Sequence, residues 1–168
     1  MDYFVEAVAR MAEEHPEMKE HTGIAILGGH AEELEGRLAL PVYPIGYVSD
    51  QQRIRDVYNA ADVFVLPSLE DNLPNTIMEA MACGVPCVGF RVGGIPEMID
   101  HRRNGYVAAE RDARDLAEGI RWVLDEADYA ALSEAAVAKV LHSYSQRSVA
   151  MQYLEVYNEA MAYKNFCL

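Results

Sequence analysis

The sequence predicts an α/β fold built on a doubly wound parallel sheet, and three observations carry that expectation. Short apolar runs rich in β-branched residues recur along the chain, each too short for a helix. Between them lie stretches whose apolar residues repeat at helical spacing. The clearest stretch, residues 61–94, reads strand, loop, helix, strand, loop. That is a βαβ unit whose strand ends deliver two polar loops to one edge.

Taken in order, residues 2–15 predict a helix with Tyr3 or Phe4, Ala7, Val8 and Met11 on one face, closed by Pro16. Residues 17–21 read as a polar loop, and 23–27 as a strand running into the turn Gly28-Gly29-His30. A short charged helix over 31–37 leads to a strand over 42–48, where Pro44 suggests an irregular or edge position. Asp50 is placed to cap a helix over 51–60 that turns Ile54, Val57 and Tyr58 inward. The next strands fall at 62–66 and 86–90, with a helix over 76–83 between them, opened by Asn75 or Thr76 and ended by Gly84 and Pro86. After the Gly93-Gly94 turn come a helical turn at 95–99, a basic turn at 102–105 and a fifth strand at 106–109. Helices over 113–126 and 129–141 follow. Ser145 then caps a last helix to about Tyr163, with Val149, Tyr153, Val156 and Tyr157 as its apolar face.

The loop of residues 68–75 gathers Glu70, Asp71, Asn72 and Asn75, polar groups that call for a polar partner. The helix start behind it offers free N–H groups and a positive dipole end, the usual attraction for phosphate. Glu79 lies one turn along. Its carboxylate is a good bidentate acceptor for a vicinal diol such as a ribose, so the pairing suits a nucleotide. The alternative is that Glu79 only forms a capping box with Thr76. The Arg102-Arg103 pair could likewise reach a diphosphate or stay solvated in its turn.

The run PSLEDNLPNTIMEAMACGVPCVGF, followed by VGGIPEMI and NGY, resembles the donor-binding half of retaining GT-B glycosyltransferases of family four, also called glycosyl transferases of group 1. Their signature is two acidic residues separated by seven; here it reads Asp71-x7-Glu79, with Asp where Glu is commoner. The resemblance covers residues 2–157 and implies a Rossmann-like doubly wound parallel sheet, the C-terminal half of a GT-B enzyme. It implies that Glu79 holds the ribose diol and that Asp71, or its neighbour Glu70, approaches the donor sugar hydroxyls. Asn72, Leu73, Pro74, Asn75 and Thr76 would cradle sugar and phosphates through their backbone. Gly28 and Gly29 would lie near the donor, and Tyr47, Val48 and Ser49 would line the base pocket. The ligand implied is a nucleotide sugar such as a UDP- or GDP-sugar, with no metal and no other cofactor, and with the leaving phosphate in place of a side-chain base. Nucleotide-sugar 2-epimerases share the architecture but lack the EAMACG block as it stands here.

Composition bounds the rest. A chain of 168 residues, half of it hydrophobic, suits one domain, residues 1–168, whereas a whole GT-B enzyme needs two. The formal charge of −13 argues against non-specific nucleic-acid binding, and no apolar run reaches membrane length. Cys83, Cys87 and Cys167 lack metal-ligand spacing, Cys83 and Cys87 read as core thiols rather than a disulfide, and without a signal peptide the protein is expected to be cytoplasmic. In the family this domain opens with a strand and a loop bearing a diphosphate-clamping Arg and Lys, and Met1 falls just after that point. The resemblance therefore implies a sheet lacking its central first strand, with altered pairing or with a second copy or another chain over the gap. It also implies a glycosyltransferase that is inactive alone, or a non-catalytic nucleotide-sugar-binding module, needing an acceptor-domain partner.

Overall fold

The computed structural model describes residues 1–29 and 31–166, and side chains as far as residue 162. His30 and Cys167, singled out in the sequence, lie outside the described residues, and the side chain of Tyr163 lies beyond that limit.

The chain opens with α1 (Asp2–Glu14), whose Ala7, Val8, Met11 and Ala12 recur every three or four residues and are buried. The expected polar loop after it is instead a one-turn helix, α2 (Met18–His21). Met18, only 3% exposed, anchors that turn in the core, a tertiary contact that the polar neighbours conceal. There follow β1 (Ile24–Leu27), α3 (Ala31–Leu34), β2 (Val42–Gly46), α4 (Gln51–Asn59) and β3 (Phe64–Leu66). Asp50 caps α4 as expected, accepting the Arg53 N–H at 2.8 Å. Then come α5 (Asn75–Ala82), β4 (Cys87–Phe90), α6 (Ile95–Met98) and β5 (Gly105–Ala108). The helix α7 (Ala113–Arg121) runs on into a π-helical turn (Trp122–Glu126), and α8 (Tyr129–Ser143) and α9 (Gln146–Phe166) close the chain. Packing of α1 on α7, and of α5 on α8, builds helical layers around the strands.

All pairings are parallel, as the βαβ pattern requires, but the five strands form two sheets, β1-β2 and β3-β4-β5. In β1, Ile24 N–H donates to Pro41 and Gly28 N–H to Gly46, so the even-numbered residues serve β2. Alternation then turns the peptide groups of Ala25 and Leu27 the other way. By the same rule Phe64 serves β4, donating to Pro86, and Val65 faces outward. No hydrogen bond joins β1 to β3 among the described residues. Burial follows the same division: every residue of β4 and β5 is buried, whereas β3 is half-buried throughout and β1 has no fully buried residue. The single continuous sheet of the fold class is thus divided where the first strand of a doubly wound sheet would lie.

The far edge, β5, is closed by side chains. His101 Nδ1 accepts the Val107 N–H at 3.1 Å, and Asp115 accepts the Ala109 N–H at 2.6 Å. At the other end of the chain, Ser145 caps α9 by accepting the Ser148 N–H at 3.2 Å. The expected apolar face of α9 is present but unburied: Tyr153, Val156 and Tyr157 are each about 60% exposed. Val149, near the start of that face, is half-buried, so the exposure belongs to the part of the helix beyond it.

Candidate functional site

Parallel pairing sends the loops after β3 and β4 out at one edge, because Leu66 lies beside Gly89. The loop of residues 67–74 and the loop of residues 91–94 meet there. Gly94 N–H donates to the Asp71 carbonyl at 3.3 Å. The contact is too close for side chains: a Cβ on Gly93 would sit 1.7 Å from the Asp71 carbonyl oxygen, and one on Gly94 1.9 Å from that of Asn72. The glycine pair read in the sequence as a turn is therefore a brace that fixes the backbone of the acidic loop.

That loop leads into α5. Pro74, buried and extended, is the N-cap residue, and its carbonyl accepts from Ile77 at 3.2 Å. This corrects the expectation that Asn75 or Thr76 caps the helix: Asn75 is already its first residue. No side chain caps α5, and among the described residues the N–H groups of Asn75 and Thr76 have no partner. The positive end of the helix is open to an anion. Asn72, Leu73, Asn75 and Thr76 are exposed around it, and Asp71 is half-buried. The carboxylates of Glu70 and Asp71 hold no hydrogen bond or ion pair among the described residues.

Glu79 is exposed one turn along α5. Its Oε2 accepts the Tyr58 hydroxyl at 3.2 Å, and with Pro74 rather than Thr76 as the N-cap residue the capping box does not form. Tyr58 itself is only 3% exposed, its ring edge-on to Phe64 with centroids 5.7 Å apart. Burial, with the Glu79 charge beside it, pushes the phenol well above its ordinary pKa. The sequence marks Tyr58 as inward-facing on a helix but carries no signal linking it to a carboxylate 21 residues later.

Gly28 and Gly29 leave the end of β1, and Tyr47, Val48 and Ser49 the end of β2. Gly28 N–H donates to the Gly46 carbonyl at 2.9 Å, so these two segments meet each other. No hydrogen bond or ion pair ties them to the acidic loop among the described residues. Tyr47 is 87% exposed. Arg102 lies elsewhere: the turn holding it enters β5 from the N-terminal end, and its guanidinium sits 5.6 Å from the Tyr106 ring centroid and 5.5 Å from that of Trp122. Of the two readings of the basic pair, the diphosphate contact is overturned for Arg102 by that placement. Cys87 is wholly buried and Cys83 partly so, both free, and burial raises both thiols. Among the described residues no cluster of three or more His, Cys, Asp or Glu side chains could hold a metal, and no helix is long and apolar enough to cross a membrane.

The family model for glycosyl transferases group 1 matches residues 1–126. The chain belongs to that family. Among its relatives, the N-acetyl-alpha-D-glucosaminyl L-malate synthase of Bacillus anthracis is 31% identical over 116 residues, covering 68% of this chain and 30% of that protein. The amylovoran biosynthesis glycosyltransferase AmsK of Erwinia amylovora is 38% identical over 113 residues, 63% of this chain and 28% of its own length. The chain thus spans about a third of the length of the curated relatives it matches. In three dimensions it is similar to Anabaena HepE, crystallised in complex with UDP, with a TM-score of 0.77 at 20% identity over 95% of this chain and 45% of that one. A C-terminal domain of a group 1 glycosyl transferase, LpcC of Francisella tularensis, aligns with a TM-score of 0.65 at 18% identity, covering 86% of this chain and 78% of that chain. The fold is that of the matched parts of these two proteins.

Proposed function

We propose that the chain is the donor-binding half of a retaining group 1 glycosyltransferase, a single domain that takes a nucleotide sugar. The observation that carries this reading is the uncapped start of α5 beneath a glycine-braced acidic loop, with Glu79 exposed one turn on. The N–H groups of Asn75 and Thr76 receive the diphosphate, Glu79 receives the ribose diol, and Asp71 the hydroxyls of the donor sugar. Glu70, Asn72, Leu73 and Pro74 complete the cradle. Gly28, Gly29, Tyr47, Val48 and Ser49 form its base-facing side. The UDP bound to HepE supports a nucleotide as ligand.

Transfer breaks the bond between the anomeric carbon and the diphosphate and forms a glycosidic bond of the same configuration to an acceptor hydroxyl, whose proton passes to the leaving phosphate. Negative charge gathers on the leaving diphosphate, and the helix-end amides meet it there, with no metal called for. The acceptor is bound by the other half of such an enzyme, so the donor-binding domain taken alone binds donor weakly and transfers negligibly. Polysaccharide assembly in the cytoplasm is the setting, in keeping with the name of AmsK.

A thermal-shift panel of UDP, GDP, ADP and their sugars tests the reading, since a ligand bound only by the folded state raises the melting temperature. At least one nucleotide is expected to do so, and Glu79→Ala to abolish the shift while the fold persists. An undiminished shift in that variant would sink the ribose assignment. Turnover of UDP-glucose or GDP-mannose by the lone chain at ordinary enzymatic rates would overturn the half-enzyme reading. The second reading, a non-catalytic binding module, predicts nucleotide affinity with no transfer even when an acceptor half is added.

A further inference from the structure

We propose that Tyr58 is a positioning residue for nucleotide recognition: its hydroxyl, donated to Glu79 Oε2 at 3.2 Å, holds the carboxylate in the orientation that receives a ribose diol. This rests on the reading of Glu79 as the diol acceptor and adds a second residue to that site, one from a different helix.

The two side chains differ in how firmly they are held. Glu79 stands on the exposed face of α5, on a flexible stem that sweeps through many rotamers when unpartnered. Tyr58 has its ring locked between α4 and β3, 3% exposed and edge-on to Phe64 with an interplanar angle of 74°. A fixed ring fixes its hydroxyl, and the hydroxyl fixes Glu79. A side chain already ordered loses less freedom when the ligand arrives, and that difference appears as affinity.

The hydrogen-bond inventory is compatible with both tasks. An ionised carboxylate offers about four lone-pair sites. Tyr58 takes one, leaving enough for the two hydroxyls of a diol. The phenol stays protonated throughout the neutral range, because burial and the Glu79 charge both oppose its ionisation, so the donor is always present. Among the described residues Glu79 has no other hydrogen-bond or ion-pair partner, so nothing else sets its direction.

A purely structural clip between α4 and α5 would affect stability and leave ligand preference alone, and this separates the two roles. The test compares UDP, GDP and ADP with their 2′,3′-dideoxy forms on the wild-type chain and on Tyr58→Phe, which keeps the ring and removes only the hydroxyl. The wild type is expected to prefer the ribo form by about tenfold or more, the worth of a hydrogen bond to a charged group. In Tyr58→Phe the preference is expected to shrink by roughly fivefold, with affinity for the dideoxy form unchanged. A preference retained in full by Tyr58→Phe overturns the proposal. A wild type that binds nucleotide without preferring ribose overturns the Glu79 reading itself, a separate and recognisable failure. In the double variant Tyr58→Phe/Glu79→Gln, affinity is expected to match Glu79→Gln alone, and additive losses would make Tyr58 an element of the fold only. Should Tyr58→Phe not fold, Glu79→Asp leaves the core untouched but shortens the reach to Tyr58, and an undiminished ribo preference there overturns the proposal equally.

Discussion

Replacing Gly93 by alanine strikes the contact on which the acidic loop depends. The new Cβ would lie 1.7 Å from the Asp71 carbonyl oxygen and 2.8 Å from its carbon, and both are backbone atoms that cannot rotate aside. Gly93 also holds φ at +49°, where an L side chain costs about 1–2 kcal/mol. Relieving the overlap means moving one loop by on the order of 1 Å, at a further ~1–3 kcal/mol. Together the loss should be about 3 kcal/mol, or a fall in melting temperature of roughly 10 °C for a chain this size. Gly94→Ala should behave alike, since its Cβ meets the Asn72 carbonyl at 1.9 Å. Urea titration measures the loss, and Gly29→Ala serves as control, because nothing lies within 4 Å of its Cβ position. If the loop yields instead of the fold, stability recovers and nucleotide affinity falls. A Gly93→Ala chain matching the control in urea midpoint and the wild type in nucleotide shift would refute the brace.

Other consequences can be checked in the same titrations. His101 accepts the Val107 N–H through Nδ1 while burial and Arg102 hold its pKa below the ordinary histidine value, so the folded chain resists a proton that the unfolded chain takes up near pH ~6.5. Stability should therefore be complete above that pH and decline as pH falls below it, and the drop between pH 7.5 and 5.5 should flatten in His101→Gln. Asp112→Ala removes the acceptor of the Arg114 and Asp115 N–H groups at the start of α7, and a destabilisation of ~1 kcal/mol is expected. Gly119→Ala improves helix propensity by ~1 kcal/mol but drives a Cβ to 2.4 Å from the Tyr106 ring, so the net effect should be destabilising. A more stable Gly119→Ala chain would show that α7 and β5 pack less closely than described.

Much of the site was legible because its parts are local. The strand before the acidic loop, the seven residues between Asp71 and Glu79, and Gly84 at the end of α5 are set by neighbours in sequence. Gly84 adopts the left-handed conformation expected of it, with φ +76°. What escaped was non-local. The cap of α5 escapes a local reading because Asn75 and Thr76 are both favoured N-cap residues and Pro74 is not, and the start is decided only once the loop is pinned to residues 93 and 94. Tyr58 was placed facing inward, but its hydroxyl finds Glu79 only once α4 and α5 are laid across β3. The basic pair at 102 and 103 was ambiguous because charge in a turn says nothing about which end of the sheet the turn occupies.

The sequence alone determined the order of the five strands and of the longer helices, their parallel connection, the family and the acidic pair, since each follows from periodicity and a local motif that the chain carries wherever it folds. Only the tertiary structure decided that the strands separate into two sheets, that two glycines press against the acidic loop, and that the apolar side of α9 beyond Val149 stays exposed. Those outcomes depend on which distant segments meet. Meeting is governed by the shape and burial of the assembled core, which no stretch of residues specifies on its own.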